Sequence, residues 1–176
     1  MSNWNKIFKP IVVLCVICVV ITGALAATNS VTAPIIAEAT RLAQEQARME
    51  LLPEADGFTA VKDIEVENVS EIYTANNGVG TVVTSTSKGY GGSMTVMVAF
   101  TPDGTIKQIK VTEQAETQGI GSKVVADASF WTRYEGLEAK TLVLGTDVDA
   151  LSGATISSRA LTNAVNAAID GYHAIG

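Results

Sequence analysis

The feature that most constrains this chain is the apolar segment "IVVLCVICVVITGALAA", which runs from Ile11 to Ala27. No Asp, Glu, Lys or Arg occurs between Lys9 and Glu38. A helix needs about 20 apolar residues to cross the hydrocarbon core of a bilayer. The sequence therefore predicts a membrane-spanning helix over residues 11–30.

The charges around this segment predict its orientation. Lys6 and Lys9 precede it, and the positive-inside rule then places residues 1–10 in the cytoplasm and the rest of the chain outside. The same basic start, with the small-residue pattern Ala24-Leu25-Ala26, is also compatible with a cleaved signal peptide. We expect an uncleaved anchor in the cell membrane, because the apolar run is long for a signal sequence.

The rest of the chain has the length of one ordinary domain. The 12 basic and 18 acidic residues give a formal net charge of -6, and no basic cluster occurs, so we expect no nucleic-acid partner. Both cysteines, Cys15 and Cys18, lie in the apolar segment. Their spacing is compatible with a metal or redox pair, but two small apolar side chains in a membrane helix are the simpler interpretation.

A second helical pattern follows the apolar segment, over residues 31–53. Pro34 can open this helix and Pro53 closes it. Apolar residues recur at helical spacing, at Ile35, Ile36, Ala39, Leu42 and Ala43. We predict a stalk helix here, followed by an extracytoplasmic domain over residues 54–176.

The predicted domain is α+β, with an antiparallel sheet flanked by helices. The segments "EIYTANNG", "GTVVTSTS", "SMTVMVAF" and "TIKQIKVTE" are short, rich in Val, Ile and Thr, and separated by turn residues. The last two predict a hairpin across Pro102-Asp103-Gly104. A mixed helical stretch then reaches Tyr134, "KTLVL" is a candidate further strand, and an amphipathic helix over about 158–170 closes the chain.

The segment "DALSGATISS", from Asp149 to Ser158, directly precedes this last helix. Ser157 or Ser158 can cap the helix start and Gly171 its end, which places Thr155 just ahead of the helix N-terminus. Unpaired N–H groups and the positive end of the helix dipole there favour an anionic group such as a phosphate. Taken alone, Ser-Gly-Ala-Thr is also compatible with an ordinary capping turn.

The chain lacks the residues that hydroxyl catalysis requires. A serine or threonine nucleophile needs a base, and the only histidine, His173, lies near the chain end in a context typical of a surface residue. The segments "GIG" and "GYGG" match neither the Walker spacing nor the dinucleotide fingerprint. We therefore interpret Thr155 as a residue that is modified by another enzyme.

Five segments, "LLPEADGF", "GYGG", "PDGTIKQIKV", "ETQGIG" and "DALSGATISS", occur in this order across nearly the whole domain. Together they resemble the FMN-binding domain family, which is shared by the G subunit of the Rnf ferredoxin:NAD⁺ electron-transport complex and the C subunit of the sodium-pumping NADH:quinone reductase. The order and the anchor are most similar to the Rnf branch. The chain departs from the family pattern at Gln118, where the family usually has proline.

The resemblance implies an FMN phosphoester on Thr155, attached by a separate flavin transferase that recognises Asp149. It implies an electron-transfer subunit whose partners are the other membrane subunits of an Rnf-type complex. Alternatives are an anchored scaffold without a redox cofactor and an independent flavin reductase. The further residues predicted to contact FMN are Leu151, Ser152, Gly153, Ala154, Ser157, Ser158, Glu116, Thr117, Gly119, Gly121, Lys123, Tyr90, Gly91 and Gly92.

Overall fold

A computed structural model describes residues 8–62, 64–115 and 122–175 of the chain. Its first element is a single helix, α1, Lys9–Leu51. The predicted membrane and stalk helices are therefore continuous, and the prediction that Pro34 opens a new helix is wrong. The helix passes Pro34 at the loss of one backbone hydrogen bond, the one to the carbonyl of Ser30. Among the described residues, α1 is the helix that is long and apolar enough to cross a membrane.

The chain divides into two compact units, residues 1–43 and residues 44–176. The second unit contains the end of α1 and a five-stranded sheet whose order follows the chain. Every neighbouring pair of strands is antiparallel. The strands are β1, Phe58–Ala60; β2, Val69–Ala75; β3, Thr81–Lys88; β4, Ser93–Phe100; and β5, Ile106–Gln114.

The four predicted strand segments are confirmed as β2 to β5, and the hairpin across Pro102-Asp103-Gly104 joins β4 to β5. The short edge strand β1 was not predicted. The candidate strand "KTLVL" is wrong, because only Leu144 forms a bridge, with Val148. Here the Asn166 side chain replaces a neighbouring strand: its Oδ1 accepts from the Leu142 N–H at 2.8 Å and its Nδ2 donates to the Leu142 carbonyl at 2.9 Å.

Three helices complete the described part of the second unit. The short α2, Ser122–Ala126, and α3, Ala128–Trp131, confirm the predicted helical stretch, and the long α4, Thr155–His173, closes the chain. This last helix starts earlier than predicted, and it continues past Gly171. A Cβ on Gly171 would lie 3.0 Å from Val83 Cγ1 and 3.1 Å from Val69 Cγ2. The absent side chain therefore allows α4 to approach the sheet closely.

The sheet separates two apolar cores, because side chains alternate between the faces of each strand. On one face, Val96, Val98 and Phe100 of β4 pack in one core with residues of α4. On the other face, Met97 and Ala99 belong to a second core that contains the last turns of α1. Since β4 is covered on both faces, its sequence is a continuous apolar run instead of an alternating pattern. The α1 residues of the second core are Ala47 and Leu51, with Leu52 directly after the helix.

Candidate functional site

A tight turn, Leu151 to Ala154, leads into α4. The Ala154 N–H donates to the Leu151 carbonyl at 3.0 Å, and Gly153 has a φ of 80°, a region that favours glycine. The helix begins at Thr155 with Ala154 as its N-cap, and this residue makes no side-chain capping bond. The prediction that Ser157 or Ser158 caps the helix is therefore wrong: the Gly153 turn lets the chain enter the helix earlier, so both serines lie inside its first turn, where they are buried.

Thr155 is exposed at this helix start. The first amides of an α-helix have no intrahelical acceptor, and the aligned peptide dipoles add positive potential there. Because Ala154 has no side-chain acceptor, no capping group competes for these amides at the N-cap position. The hydroxyl of Thr155 therefore lies at a point where a phosphate group is electrostatically stabilised.

A cleft of about 480 Å³ lies beside the turn. Its lining residues are Lys123, Asp127, Leu151 and Ser152. The structure thus brings together three of the predicted site residues, Lys123 from α2 and two residues of the turn. The ammonium group of Lys123 adds a positive charge to this cleft.

Asp127 was not predicted as part of the site. Its Oδ1 accepts from the Ser129 N–H at 3.0 Å and from the Ser129 hydroxyl at 2.5 Å, which caps α3. These hydrogen bonds from Ser129 hold the pKa of the Asp127 carboxyl below its usual value, so the group stays ionised. The sequence signal was the capping pattern Asp-x-Ser, which indicates a helix start and contains no information about the cleft.

Asp149 is also exposed, upstream of the turn. Its backbone carbonyl accepts a hydrogen bond from Arg133 Nη1 at 3.1 Å. The Arg133 guanidinium in turn lies 5.0 Å from the centre of the Phe130 ring. Arg133 therefore ties the backbone at Asp149 to the α3 region and leaves the carboxylate side chain at the surface.

The "GYGG" segment forms the turn between β3 and β4. The Gly89 N–H donates to the Gly92 carbonyl at 2.7 Å, and Tyr90 is 66% exposed. A Cβ on Gly92 would lie 2.6 Å from the Cβ of Ala115, whose N–H donates to the Ser93 carbonyl at 3.2 Å. This turn therefore packs beside the chain that leads into the "ETQGIG" segment.

Glu116, Thr117, Gly119 and Gly121, the predicted site residues of that segment, lie outside the described residues.

The direction in which α4 crosses the sheet shows on which side its start lies relative to the "GYGG" turn. Ser85 Oγ donates to the Ala164 carbonyl at 2.7 Å in the middle of the sheet. At the end of the helix, Tyr172 stacks on Phe100, the last residue of β4, with ring centres 4.7 Å apart. The start of α4 therefore lies toward the opposite end of β4, the end that follows the "GYGG" turn.

A set of buried hydroxyl groups lies behind the helix start. Tyr134 Oη and Thr162 Oγ1 are 2.9 Å apart, and Thr162 Oγ1 donates to the Ser158 carbonyl at 3.0 Å. Burial raises the pKa of Tyr134 to about 12, so its hydroxyl remains protonated at physiological pH. Sequence reasoning did not identify this set, because Tyr134 and Thr162 are far apart in the chain.

Within residues 8–62, 64–115 and 122–175, no group of three or more His, Cys, Asp or Glu side chains is arranged to hold a metal ion. His173 lies at the domain surface, as predicted, and its Nε2 is 2.6 Å from the Ala139 carbonyl.

Comparison with known proteins identifies two matching families. The FMN-binding domain family matches residues 89–170, and the RnfG N-terminal region matches residues 1–51. The G subunit of the Na(+)-translocating ferredoxin:NAD(+) oxidoreductase complex of Acetobacterium woodii is 36% identical, over 97% of this chain and 93% of that protein. The G subunit of the proton-translocating ferredoxin:NAD(+) oxidoreductase complex of Clostridium ljungdahlii is 30% identical, over 96% and 93%.

A solved structure shares the fold of about two thirds of the chain. The crystal structure of Shewanella oneidensis NqrC superposes with a TM-score of 0.50 at 27% sequence identity, over 69% of this chain and 67% of that one.

Proposed function

The chain belongs to the family of G subunits of Rnf-type ion-translocating oxidoreductase complexes, and we propose that it is the membrane-anchored subunit that carries FMN and transfers electrons within such a complex. The similarity to other G subunits extends over almost the whole chain, including the apolar helix. The FMN-binding domain match includes the turn before α4, Thr155 itself and the "GYGG" turn.

The residues at the start of α4 fit a flavin phosphate. Thr155 offers an exposed hydroxyl, and the helix start supplies amides and a positive dipole end. Lys123 adds a cation in the adjacent cleft, which is also lined by Asp127, whose ionised carboxylate is held by Ser129. We therefore propose that FMN is bound covalently, through a phosphoester to Thr155 Oγ. The observation that carries this proposal is the exposed position of Thr155 as the first residue of a helix without a side-chain cap.

The other residues predicted to contact FMN have different roles, which depend on their positions around the turn. The turn residues Leu151, Ser152, Gly153 and Ala154 shape the backbone below the phosphate, and Lys123 pairs with a phosphate oxygen. Ser157 and Ser158 are buried, so their side chains do not reach the phosphate. The Ser158 N–H donates to the Ala154 carbonyl at 2.9 Å, so Ser158 acts on the turn and not on the phosphate directly. We propose that the flavin ring or its ribityl chain lies against two glycine-containing loops, formed by Tyr90, Gly91 and Gly92 and by Glu116, Thr117, Gly119 and Gly121.

Bound FMN would supply the redox chemistry, since the flavin ring accepts and donates electrons whereas no side chain in this site does. The task of the protein is then to fix the position of the ring. A covalent phosphoester prevents dissociation, and the helix start and Lys123 hold the phosphate oxygens. The partners in electron transfer are other subunits of the complex.

Maturation and orientation complete the proposal. A flavin transferase attaches FMN and recognises the exposed carboxylate of Asp149. Residues 1–10 lie in the cytoplasm, residues 11–30 span the cell membrane, and the FMN-binding domain is extracytoplasmic, because Lys6 and Lys9 precede the span.

The covalent proposal is tested by replacing Thr155. Full-length protein purified from membranes of cells that contain a flavin transferase should carry the added mass of one FMN less one water on the peptide that contains Thr155. Its denatured gel band should fluoresce under ultraviolet light. Thr155→Ala should lose both signals, whereas Thr146→Ala, which removes another exposed threonine hydroxyl of the second unit, should keep them. Flavin mass retained in Thr155→Ala would refute the assigned residue, and flavin absent from the natural sequence would favour an anchored scaffold.

A further inference from the structure

The hydroxyl of Ser158 holds both ends of the turn that precedes Thr155. Ser158 is fully buried in the first turn of α4. Its Oγ accepts a hydrogen bond from the Leu151 N–H at 3.1 Å and donates one to the Ala154 carbonyl at 3.0 Å. A backbone bond from the Ala154 N–H to the Leu151 carbonyl, at 3.0 Å, also closes the turn.

We propose that Ser158 is a positioning residue for the attachment of FMN to Thr155. This inference rests on the proposed function, and it concerns how the acceptor threonine is presented to the transferase. The tip of the turn, Ser152 and Gly153, is exposed, and Gly153 has a positive φ. A short exposed turn with glycine at its tip has several accessible conformations, and the Ser158 hydroxyl selects one of them by bonding to both ends.

The geometry explains why an inward-facing serine affects a reaction at the surface. The Thr155 hydroxyl attacks a phosphorus atom, and the transferase must hold the hydroxyl in line with that atom. Small errors in the position of the hydroxyl strongly reduce the rate. Ser158 lies one helical turn after Ala154, so its two bonds couple the backbone on both sides of Gly153 to the rigid part of α4. Its hydroxyl is engaged inside the protein and does not contact the phosphate.

The attachment step balances as a transfer from an activated donor. A flavin dinucleotide supplies the FMN group as part of a pyrophosphate. The Thr155 oxygen forms a bond to the FMN phosphorus, the pyrophosphate P–O bond breaks, and a nucleoside monophosphate leaves. The proton of the Thr155 hydroxyl passes to a base of the transferase, and no atom is oxidised or reduced.

Thr162 provides a matched control in the same helix. Its hydroxyl donates to the backbone carbonyl of Ser158 and contacts Tyr134, but it does not contact the turn. Thr162→Val therefore leaves the Tyr134 hydroxyl without this partner and weakens the buried core, while both Ser158 hydroxyl bonds remain. A general loss of stability affects both variants, whereas a loosened turn affects Ser158→Ala alone.

The first measurement needs no flavin. Hydrogen exchange of the full-length chain in detergent should show the Leu151 amide exchanging about tenfold faster in Ser158→Ala, because its acceptor is lost, with no such change in Thr162→Val. Unchanged exchange at Leu151 in Ser158→Ala would overturn the proposal.

The second measurement follows attachment itself. Each full-length variant is incubated with a flavin transferase and flavin adenine dinucleotide, and the added FMN mass is recorded over time. We expect kcat/KM for Ser158→Ala to fall about tenfold relative to Thr162→Val, as the competent turn conformation becomes a minor population. Equal rates in the two variants, with normal attachment to the natural sequence, would overturn the proposed role of Ser158 and leave the proposed function intact. Absence of attachment to the natural sequence would overturn the proposed function instead.

If Ser158→Ala does not fold, Ser158→Cys is used in both measurements, because cysteine keeps a side chain of similar size with a weak donor.

Discussion

Replacing Gly92 by alanine should create a defined steric conflict beside the proposed flavin site. The new Cβ would lie 2.6 Å from the Cβ of Ala115, whereas non-bonded carbon atoms pack at about 3.5 to 4.0 Å. Neither side chain can rotate away, because alanine has no rotatable heavy atom beyond Cβ. The backbone has to move, although it is held by the bonds Gly89 N–H to Gly92 carbonyl and Ala115 N–H to Ser93 carbonyl. We expect the free energy of unfolding to fall by about 1–3 kcal/mol.

A second substitution should relieve this conflict. With Ala115→Gly, the nearest remaining atoms to a Cβ on residue 92 are the Ala115 carbonyl oxygen at 3.6 Å and its Cα at 3.7 Å, which are ordinary contacts. Ala115→Gly alone should cost about 0.5–1 kcal/mol through the greater freedom of the unfolded chain. The double variant should be about as stable as Ala115→Gly alone, so the favourable coupling free energy should equal the cost of Gly92→Ala, about 1–3 kcal/mol.

Urea unfolding of the four full-length proteins in detergent, followed by circular dichroism, measures this coupling. The four curves should share one slope and differ in midpoint. Strictly additive losses would refute the packing explanation for glycine at position 92. The flavin absorption spectrum of each variant is compared with that of the natural sequence. If the double variant regains stability but its spectrum still differs from the natural one, Gly92 also contacts the flavin.

Two further predictions concern Tyr134 and the membrane orientation. Because burial raises the pKa of Tyr134 from 10.0 to about 12, the unfolded chain loses this proton first as the pH rises, so the stability that Tyr134 contributes is complete below pH 10.0 and is lost toward pH 12. Urea midpoints measured across this range should fall for the natural sequence, and a Tyr134→Phe variant with the same fall would show that another group is responsible. The proposed orientation places the domain outside the cytoplasm, so a cysteine introduced as Thr146→Cys should react with a membrane-impermeant maleimide in intact cells; labelling only after the cells are broken would reverse the proposed orientation.

Predictions from the sequence succeeded where local pattern and tertiary packing agree. The strands β2 to β5 have β-branched residues and turn signals at both ends, and the hairpin at Pro102-Asp103-Gly104 has a glycine with a φ of 79°. The apolar run of α1 is equally clear. The amphipathic pattern of α4 also revealed the helix start beside the "SGAT" turn, and the assignment of the turn residues to a phosphate site stays a prediction that depends on this helix start.

The wrong and missed predictions have physical causes that the local sequence pattern does not reveal. The edge strand β1 has three residues and exists through its pairing with β2, from Phe58 opposite Ala75 to Ala60 opposite Tyr73. The segment "KTLVL" has strand-like composition, but Asn166 of α4 satisfies the backbone of Leu142, and Val143 is 54% exposed. The hydrogen bonds of Ser158 were equally hidden, since a serine near a helix start is ordinarily interpreted as a cap.

The second core has a consequence for producing a soluble form of this protein. A fragment that starts at Pro53, where the helix pattern ends, would lack Ala47, Leu51 and Leu52, and it would leave the apolar surface around Val82 and Met97 open to water. Such a surface promotes self-association. A fragment that starts at Gln44 would retain these residues, so we expect a fragment produced in water to stay monomeric only if it begins inside the helix, upstream of Pro53.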